Sequence, residues 1–348
     1  MWFPVYPYAM FLKVEHRDDH PTRNPDGVCP LCGRAGGGRV VWSVPYRVIW
    51  ERLTADWEVI IPEAVARRNT PAVVAKLLSC PGCGLEYFDP ARSGDAEYYL
   101  ALAASPRYYN AWKWEFGWVA ERLLPGSSVL DVGCGRGDFL AHAGPRVGRA
   151  VGLEPDPVTA AVAAARGLAV VSGDLASFAR ANEGAFDAAC LFHVVEHLPE
   201  IRPFLRHLLS CLKPGGSMYL SVPNRNRYLK GVIEPLDCPP HHVSRWAPAQ
   251  MVRLASLAGV TLSEFALEPV DVSLLREEMP VRFRRRLEEI PAVGAFLGRW
   301  STRILWRTLF RKSLCPIYAQ TRLFDRFGCH GLSMVGRYVS RFTERGGG

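Results

Sequence analysis

The feature that most constrains this chain is the segment VLDVGCGRGD at residues 129–138. A short apolar run ends in an acidic residue. Three glycines follow at alternate positions, and then a helix-forming stretch begins. Glycines at Gly133, Gly135 and Gly137 let the backbone approach a ligand with no Cβ in the way. The spacing is GxGxG, and Asp138 stands where a third glycine of the dinucleotide fingerprint would fall, so that fingerprint is not met.

The rhythm around this turn sets the fold class. Strands are expected at 128–132, 150–153, 169–172, 186–191 and 217–222, with helices at 137–143, 157–166 and 198–212 between them. A helix at 248–258 and strands at 261–267 and 332–339 complete the pattern. Alternation of this kind predicts an α/β fold, a seven-stranded Rossmann-like sheet with helices on both faces. The chain has 348 residues, 49% of them hydrophobic, enough to bury a substantial core.

Acidic residues close each early strand. Asp131 could meet a ligand amine, and Glu154, 23 residues later in GLEPD, could accept both ribose hydroxyls of an adenosine. Asp174, in SGD, could accept from an adenine amino group. Leu175 beside it and Phe192 at the end of the fourth strand are assigned to the same pocket. In order, VLDVGCGRG, GLEPD, SGD, FDAACLFHVVEHL, LKPGG and LSVPN resemble the class I S-adenosylmethionine (SAM) dependent methyltransferases. The resemblance covers about residues 108–268 and the last strand, and it implies SAM as cofactor.

His193-Val-Val-Glu196-His197 follows the fourth strand. HxxEH is also a zinc-peptidase pattern, but that pattern needs a helix, and this one lies at a strand-to-helix turn. The segment is similar to the ExxEH element of the ubiquinone-pathway O-methyltransferases and the small-RNA 2′-O-methyltransferases. In those families the element and a later histidine hold a divalent metal. Here the later histidine is His242, in PHHVSRW, and His193 stands where the family has Glu. Three readings stay open: a second divalent metal at His193, Glu196, His197 and His242; one of these histidines as general base; or Glu196 and His197 merely tying the turn together.

Ten cysteines include two CxxC pairs, CPLCG at 29–33 and CPGCG at 80–84. Four thiolates at Cys29, Cys32, Cys80 and Cys83 predict a closed, structural Zn²⁺ site on two hairpin tips. With LEYFDP and Tyr98-Tyr99 after it, this resembles the zinc-ribbon methyltransferases of bacterial polysaccharide and natural-product pathways. The expected organisation is a leader at 1–28, a zinc ribbon at 29–95, a SAM-binding core at 96–271, a basic helical insertion at 272–328, and the last strand with a tail at 329–348.

The insertion carries twelve Arg/Lys against five Asp/Glu, most of the chain's net charge of +8. Interleaved with Trp and Phe, it reads as a helical cap, as interfacial helices at an anionic membrane, or as a grip on single-stranded RNA. No secretory signal or membrane span is expected, which places the protein in the cytoplasm, or peripherally at the inner face of the membrane. Three functions are weighed. The first is methyl transfer to a hydroxyl of a small molecule, sugar or lipid-linked glycan. The second is an RNA 2′-hydroxyl methyltransferase. The third is a non-enzymatic zinc-ribbon scaffold with a relict SAM pocket. The intact glycine turn and its three acidic positions argue against the third. The lack of an Asn/Asp-Pro-Pro-aromatic element argues against base exocyclic amines as acceptors.

Overall fold

The most apolar strands lie where a sheet is covered on both faces. A computed structural model describes residues 23–24, 27–36, 38–105, 108–227, 234–269 and 332–340. The insertion at 272–328, most of the leader and the tail after 340 lie outside the described residues. Strands β5 (Ser128–Val132), β6 (Arg149–Glu154), β7 (Val170–Ser172), β8 (Phe186–Phe192), β9 (Leu212–Pro223), β11 (Val260–Leu267) and β12 (Ser333–Ser340) form one sheet in the order β11-β12-β9-β8-β5-β6-β7. The pairs β5/β6, β6/β7, β5/β8 and β8/β9 are parallel. Central β8 is buried along nearly its whole length, whereas edge strand β11 alternates between buried or half-buried and exposed residues. That contrast is the signature of a two-sided and a one-sided environment.

Helices fill the crossovers where the sequence punctuates them. Helix α6 (Pro157–Ala165) starts with Pro157 in its first turn and Asp156 as cap, accepting from Thr159 N at 2.9 Å. Helix α7 (Leu175–Ala181) is capped by Asp174. Helix α8 (Ile201–Ser210) buries Ile201, Leu205 and Leu208, spaced for one face. Helix α5 (Asp138–Ala143) follows the glycine turn, and α9 (Pro248–Ala258) ends at Gly259 in the left-handed region. The core beside the central strands is aromatic: Phe116, Phe139, Phe192 and Tyr219.

The CxxC pairs belong to a second sheet. Strands β1 (Arg23–Asn24), β2 (Gly38–Pro45), β3 (Val74–Ser79), β4 (Glu86–Asp89) and β10 (Ser244–Arg245) run in the order β1-β2-β3-β4-β10. The final strand comes from beyond β9, directly after the histidine pair His241-His242. Between β2 and β3 lie α1 (Tyr46–Trp57) and α2 (Glu63–Arg68), two helices that close the gap between the CxxC pairs. Tyr46, Ile49 and Leu53 of α1 pack with Trp42, Leu77, Phe88 and Tyr98 into a separate core.

The stretch 98–124, whose sequence reads as one helical region leading into the core, is two helices, α3 (Ala96–Ala103) and α4 (Trp114–Ala120). Apart from the last residue of β11 and the first of β12, all these elements lie in one compact unit. Among the described residues no helix is long and apolar enough to cross a membrane.

Candidate active site

The sheet reverses its winding between β5 and β8, and the crevice beyond the carboxyl ends of those strands is where α/β folds bind ligands. On the β5 side lies the glycine turn. Gly133 N donates to Leu153 O at 2.8 Å, and Gly133, Gly135 and Gly137 all take positive φ. A Cβ on Gly133 would stand 2.8 Å from Val194 Cγ2, and one on Gly137 2.3 Å from Leu168 Cδ1. The turn is thus closed by neighbours on both sides as well as by its dihedrals. Its contact with Val194 brings it against the segment that follows β8.

Glu154, the last residue of β6, accepts from Gly135 N at 2.9 Å and from Asp156 N at 3.1 Å. Burial pushes its carboxyl up, and those two N–H groups oppose the shift. Glu154 therefore braces the turn from the position assigned to ribose binding. Asp131 is buried, and burial pushes its carboxyl up to about 8. A cationic amine placed beside it would lower that value. Asp174 is exposed and uses Oδ1 to cap α7 through Ser177 N at 2.8 Å; Leu175 is buried. Tyr109 was not singled out from the sequence. Its ring lies under the Arg136 guanidinium at 4.4 Å, and its Cε1 is 3.3 Å from where a Gly135 Cβ would sit.

The β8 side is built from four separate segments. Phe192 ends the strand and packs on Phe116 and Phe139 at centroid distances of 4.8 and 4.5 Å, forming an apolar floor. The next residue, His193, has φ 57°, and its N–H donates to Ser221 O at 3.1 Å. Its Nε2 donates to Glu115 Oε1 at 2.7 Å, and its Nδ1 stands 3.3 Å from Glu196 Oε1. Burial and the Lys113 charge pull the imidazole's pKa down, but the Glu115 hydrogen bond and Glu196 outweigh them and the net shift is upward. Burial likewise works against the Glu115 carboxylate, and the His193 hydrogen bond reverses it, leaving that carboxyl below its usual range. The two form a close hydrogen-bonded histidine–carboxylate pair.

His197 behaves differently. Its Nδ1 donates to His241 O at 2.6 Å, which leaves Nε2 as the nitrogen with the lone pair. Burial holds its pKa down at about 4, so the ring is neutral across the physiological range. His241 Nδ1 donates to Leu236 O at 2.9 Å, its Nε2 accepts from Tyr108 OH at 3.1 Å, and burial holds it at about 3. Tyr99 OH reaches His197 Nδ1 at 3.3 Å. His242 lies with its Nε2 4.0 Å from Glu196 Oε1 and its Nδ1 3.9 Å from Asp237 Oδ1. Glu196 is buried, and neither of its carboxylate oxygens accepts a hydrogen bond.

These positions bear on a second metal. His197, His241 and His242 each offer a nitrogen within 4.8 Å of the others. His241, however, has both nitrogens hydrogen-bonded, and His193 faces a carboxylate on each side. Glu196, His197 Nε2 and His242 remain, short of the four donors that the ExxEH resemblance implies. Glu115, Tyr99 and Tyr108 were missed from the sequence. The Tyr98-Tyr99 and Tyr108-Tyr109 pairs were a usable signal; Glu115 carries none.

The four CxxC thiols converge. Cys29 and Cys83 Sγ lie 3.5 Å apart, Cys32 and Cys80 Sγ 3.6 Å, and all four within 4.8 Å. A tetrahedral ion with Zn–S bonds of about 2.3 Å has sulfur–sulfur edges of about 3.8 Å, so the cluster fits Zn²⁺. The two tips repeat one geometry: Gly33 N donates to Cys29 O and Gly84 N to Cys80 O, both at 2.8 Å. Crowding splits the thiols, with the hydrogen bond between them raising Cys29 and lowering Cys83 to about 5.

Residues 107–264 match the family described as methyltransferase domain. That segment is a methyltransferase domain. The chain is 37% identical over 116 residues to a ubiquinone biosynthesis O-methyltransferase of Xanthomonas campestris, covering 31% of this chain and 48% of that one. To an Escherichia coli protein of the same name it is 35% identical over 119 residues, covering 32% and 49%. The chain thus spans about half the length of the curated relatives it matches. A SAM dependent methyltransferase structure from Archaeoglobus fulgidus is 17% identical, with a TM-score of 0.42, over 65% of this chain and 94% of that one.

Proposed function

We propose that this protein transfers the methyl group of SAM to a hydroxyl of a small molecule, a sugar or a lipid-linked glycan, with His197 accepting the hydroxyl proton. The observation that carries the reading is the neutral His197 ring, held in one tautomer by the His241 carbonyl beside the crevice. SAM supplies an electrophilic methyl on a sulfonium. The glycine turn and Glu154 bind and orient the donor, and Asp131 meets its amine. An attacking hydroxyl must lose a proton as the new bond forms, and the unprotonated Nε2 of a fixed neutral imidazole can accept it. The relatives named for O-methylation favour oxygen as the methylated atom. In the same reading the four cysteines hold a structural Zn²⁺.

The test is incubation with methyl-labelled SAM and an extract of the source organism, followed by partition of the label. Heating the labelled fraction in hydriodic acid releases an ether methyl as volatile methyl iodide, which a carbon-bound methyl never gives. Label in small-molecule or lipid fractions that is released as methyl iodide is the expected result. Label retained after that treatment overturns the O-methyl assignment, and label in RNA moves the acceptor to a ribose hydroxyl.

A further inference from the structure

Glu115 lies outside the motifs, yet it is bonded to the first residue of one of them, His193. Glu115 sits in the first turn of α4, before the glycine turn in the chain, and only 1% of its surface is exposed. A carboxylate buried to that degree is costly unless it is paired. Its partner is His193 Nε2 at 2.7 Å, with Ser221 Oγ at 3.5 Å on the same oxygen. His193 holds a left-handed backbone that a non-glycine residue adopts only at a cost. The other described non-glycine residue with positive φ, Glu58, is a helix C-cap, where that conformation is ordinary. No helix ends at His193. The strained turn, pinned by Ser221 O, turns the ring out of β8 so that it meets Glu115 on one edge and Glu196 on the other. The next residue, Val194, is the one that closes on Gly133. About a quarter of the His193 side chain stays exposed, although both carboxylates beside it are buried.

We propose that Glu115 is a positioning residue for the methyl-acceptor side of the crevice, fixing the His193 ring so that its open face and the Glu196 carboxylate behind it are presented to the acceptor in one arrangement. The proposal rests on the methyl-transfer reading above. The hydrogen-bond partners of Glu115, His193 and Ser221, both lie on the β8 side, so its effect is expected on the acceptor.

The test is a double-mutant cycle on Glu115→Ala, His193→Ala and the pair, with Glu115→Gln as the conservative variant. Initial rates of label transfer from methyl-labelled SAM, at saturating SAM, are measured into the extract fraction that wild type labels, and SAM affinity is measured by calorimetry. Glu115→Ala is expected to lower the rate by on the order of 10²-fold, the cost of a misplaced group, with unchanged SAM affinity. Glu115→Gln, which keeps an oxygen acceptor, is expected to lose less. In the His193→Ala background Glu115→Ala is expected to have no further effect. Additive losses, or a SAM affinity that falls with the rate, overturn the positioning role and leave methyl transfer standing. A folded wild type that binds SAM and labels no fraction overturns the methyl-transfer reading itself, and this proposal with it.

Discussion

The two sides of the crevice are built by opposite strategies. On the β5 side, nine residues of contiguous sequence from Val129 to Gly137 make the turn, and one distant carboxylate, Glu154, braces it. On the β8 side, the histidine cluster draws on Tyr99, on Tyr108 and Glu115, on His193 to His197, and on Asp237 to His242. The first side depends on local dihedrals and can form wherever that motif occurs on this sheet. The second depends on the cysteine-bearing sheet staying in place. β10 pairs with β4 through Ser244↔Tyr87 and Arg245↔Glu86, Phe88 N donates to Val243 O at 2.9 Å, and Gln250 Nε2 donates to Cys83 O at 2.9 Å. Ser93 Oγ also donates to His197 O. The β5 side is mostly local, whereas the β8 side hangs on the cysteine-bearing sheet.

The largest expected effect breaks that suspension. On the proposed Zn²⁺ assignment, stripping metal with a chelator, or Cys80→Ser with Cys83→Ser, should remove a cluster worth on the order of 10 kcal/mol to folding. Hydrogen exchange should rise steeply at 85–89 and at 241–246 and much less at 129–137; equal protection loss in all three segments would merge the two sides into one.

His197→Gln comes next. Loss of a positioned general base lowers methyl transfer by about 10²–10⁴-fold. A variant with near wild-type turnover would hand the role to another group.

The fold was legible because its signals are local. Continuous apolar strands, the Asp156 cap before α6 and Pro at the start of α9 each mark an element within a few residues; α7 was not foreseen, its cap Asp174 having been read as a ligand contact. The misses have physical causes. β9 starts at Leu212, not at 217, because the Pro214-Gly215-Gly216 stretch, which reads as a breaker, is taken into the strand where the register shifts between Phe186 and Ala188. Gly216 is needed there, since a Cβ would stand 2.9 Å from Lys213 O. Helix α1 was not foreseen, although Tyr46, Ile49 and Leu53 share one face, because no side-chain cap marks its start. At the site, the glycine turn and HxxEH were readable as motifs. Glu115 was not, because a lone glutamate in a helix gains meaning only from the histidine it meets 78 residues later.

Gly133→Ala sharpens the contact between the sides. Its φ of 72° and the 2.8 Å approach to Val194 predict a stability loss of about 1–3 kcal/mol, read as a lowered Tm. A variant as stable as wild type would show that the turn can withdraw from Val194.

The fold should also weaken in acid. His197 and His241 have folded pKa values of about 4 and about 3, below their unfolded value of about 6.5. Their stabilisation is therefore complete above pH 6.5 and is lost as pH falls towards 4 and then 3, by about 1.4 kcal/mol per pH unit for each ring. Denaturant midpoints should decline across that window by more than in a His197→Gln variant. Equal declines would mean that the ring is not buried neutral.

The division of labour is tested most directly by SAM calorimetry on two variants side by side. Glu154→Ala removes the carboxylate that braces the turn, and His197→Gln removes the proton acceptor. The account predicts that Glu154→Ala loses about 10–100-fold in SAM affinity, the worth of a charged hydrogen-bonding group, while His197→Gln binds SAM as wild type does. Wild-type affinity in Glu154→Ala, or a comparable loss in His197→Gln, would contradict it.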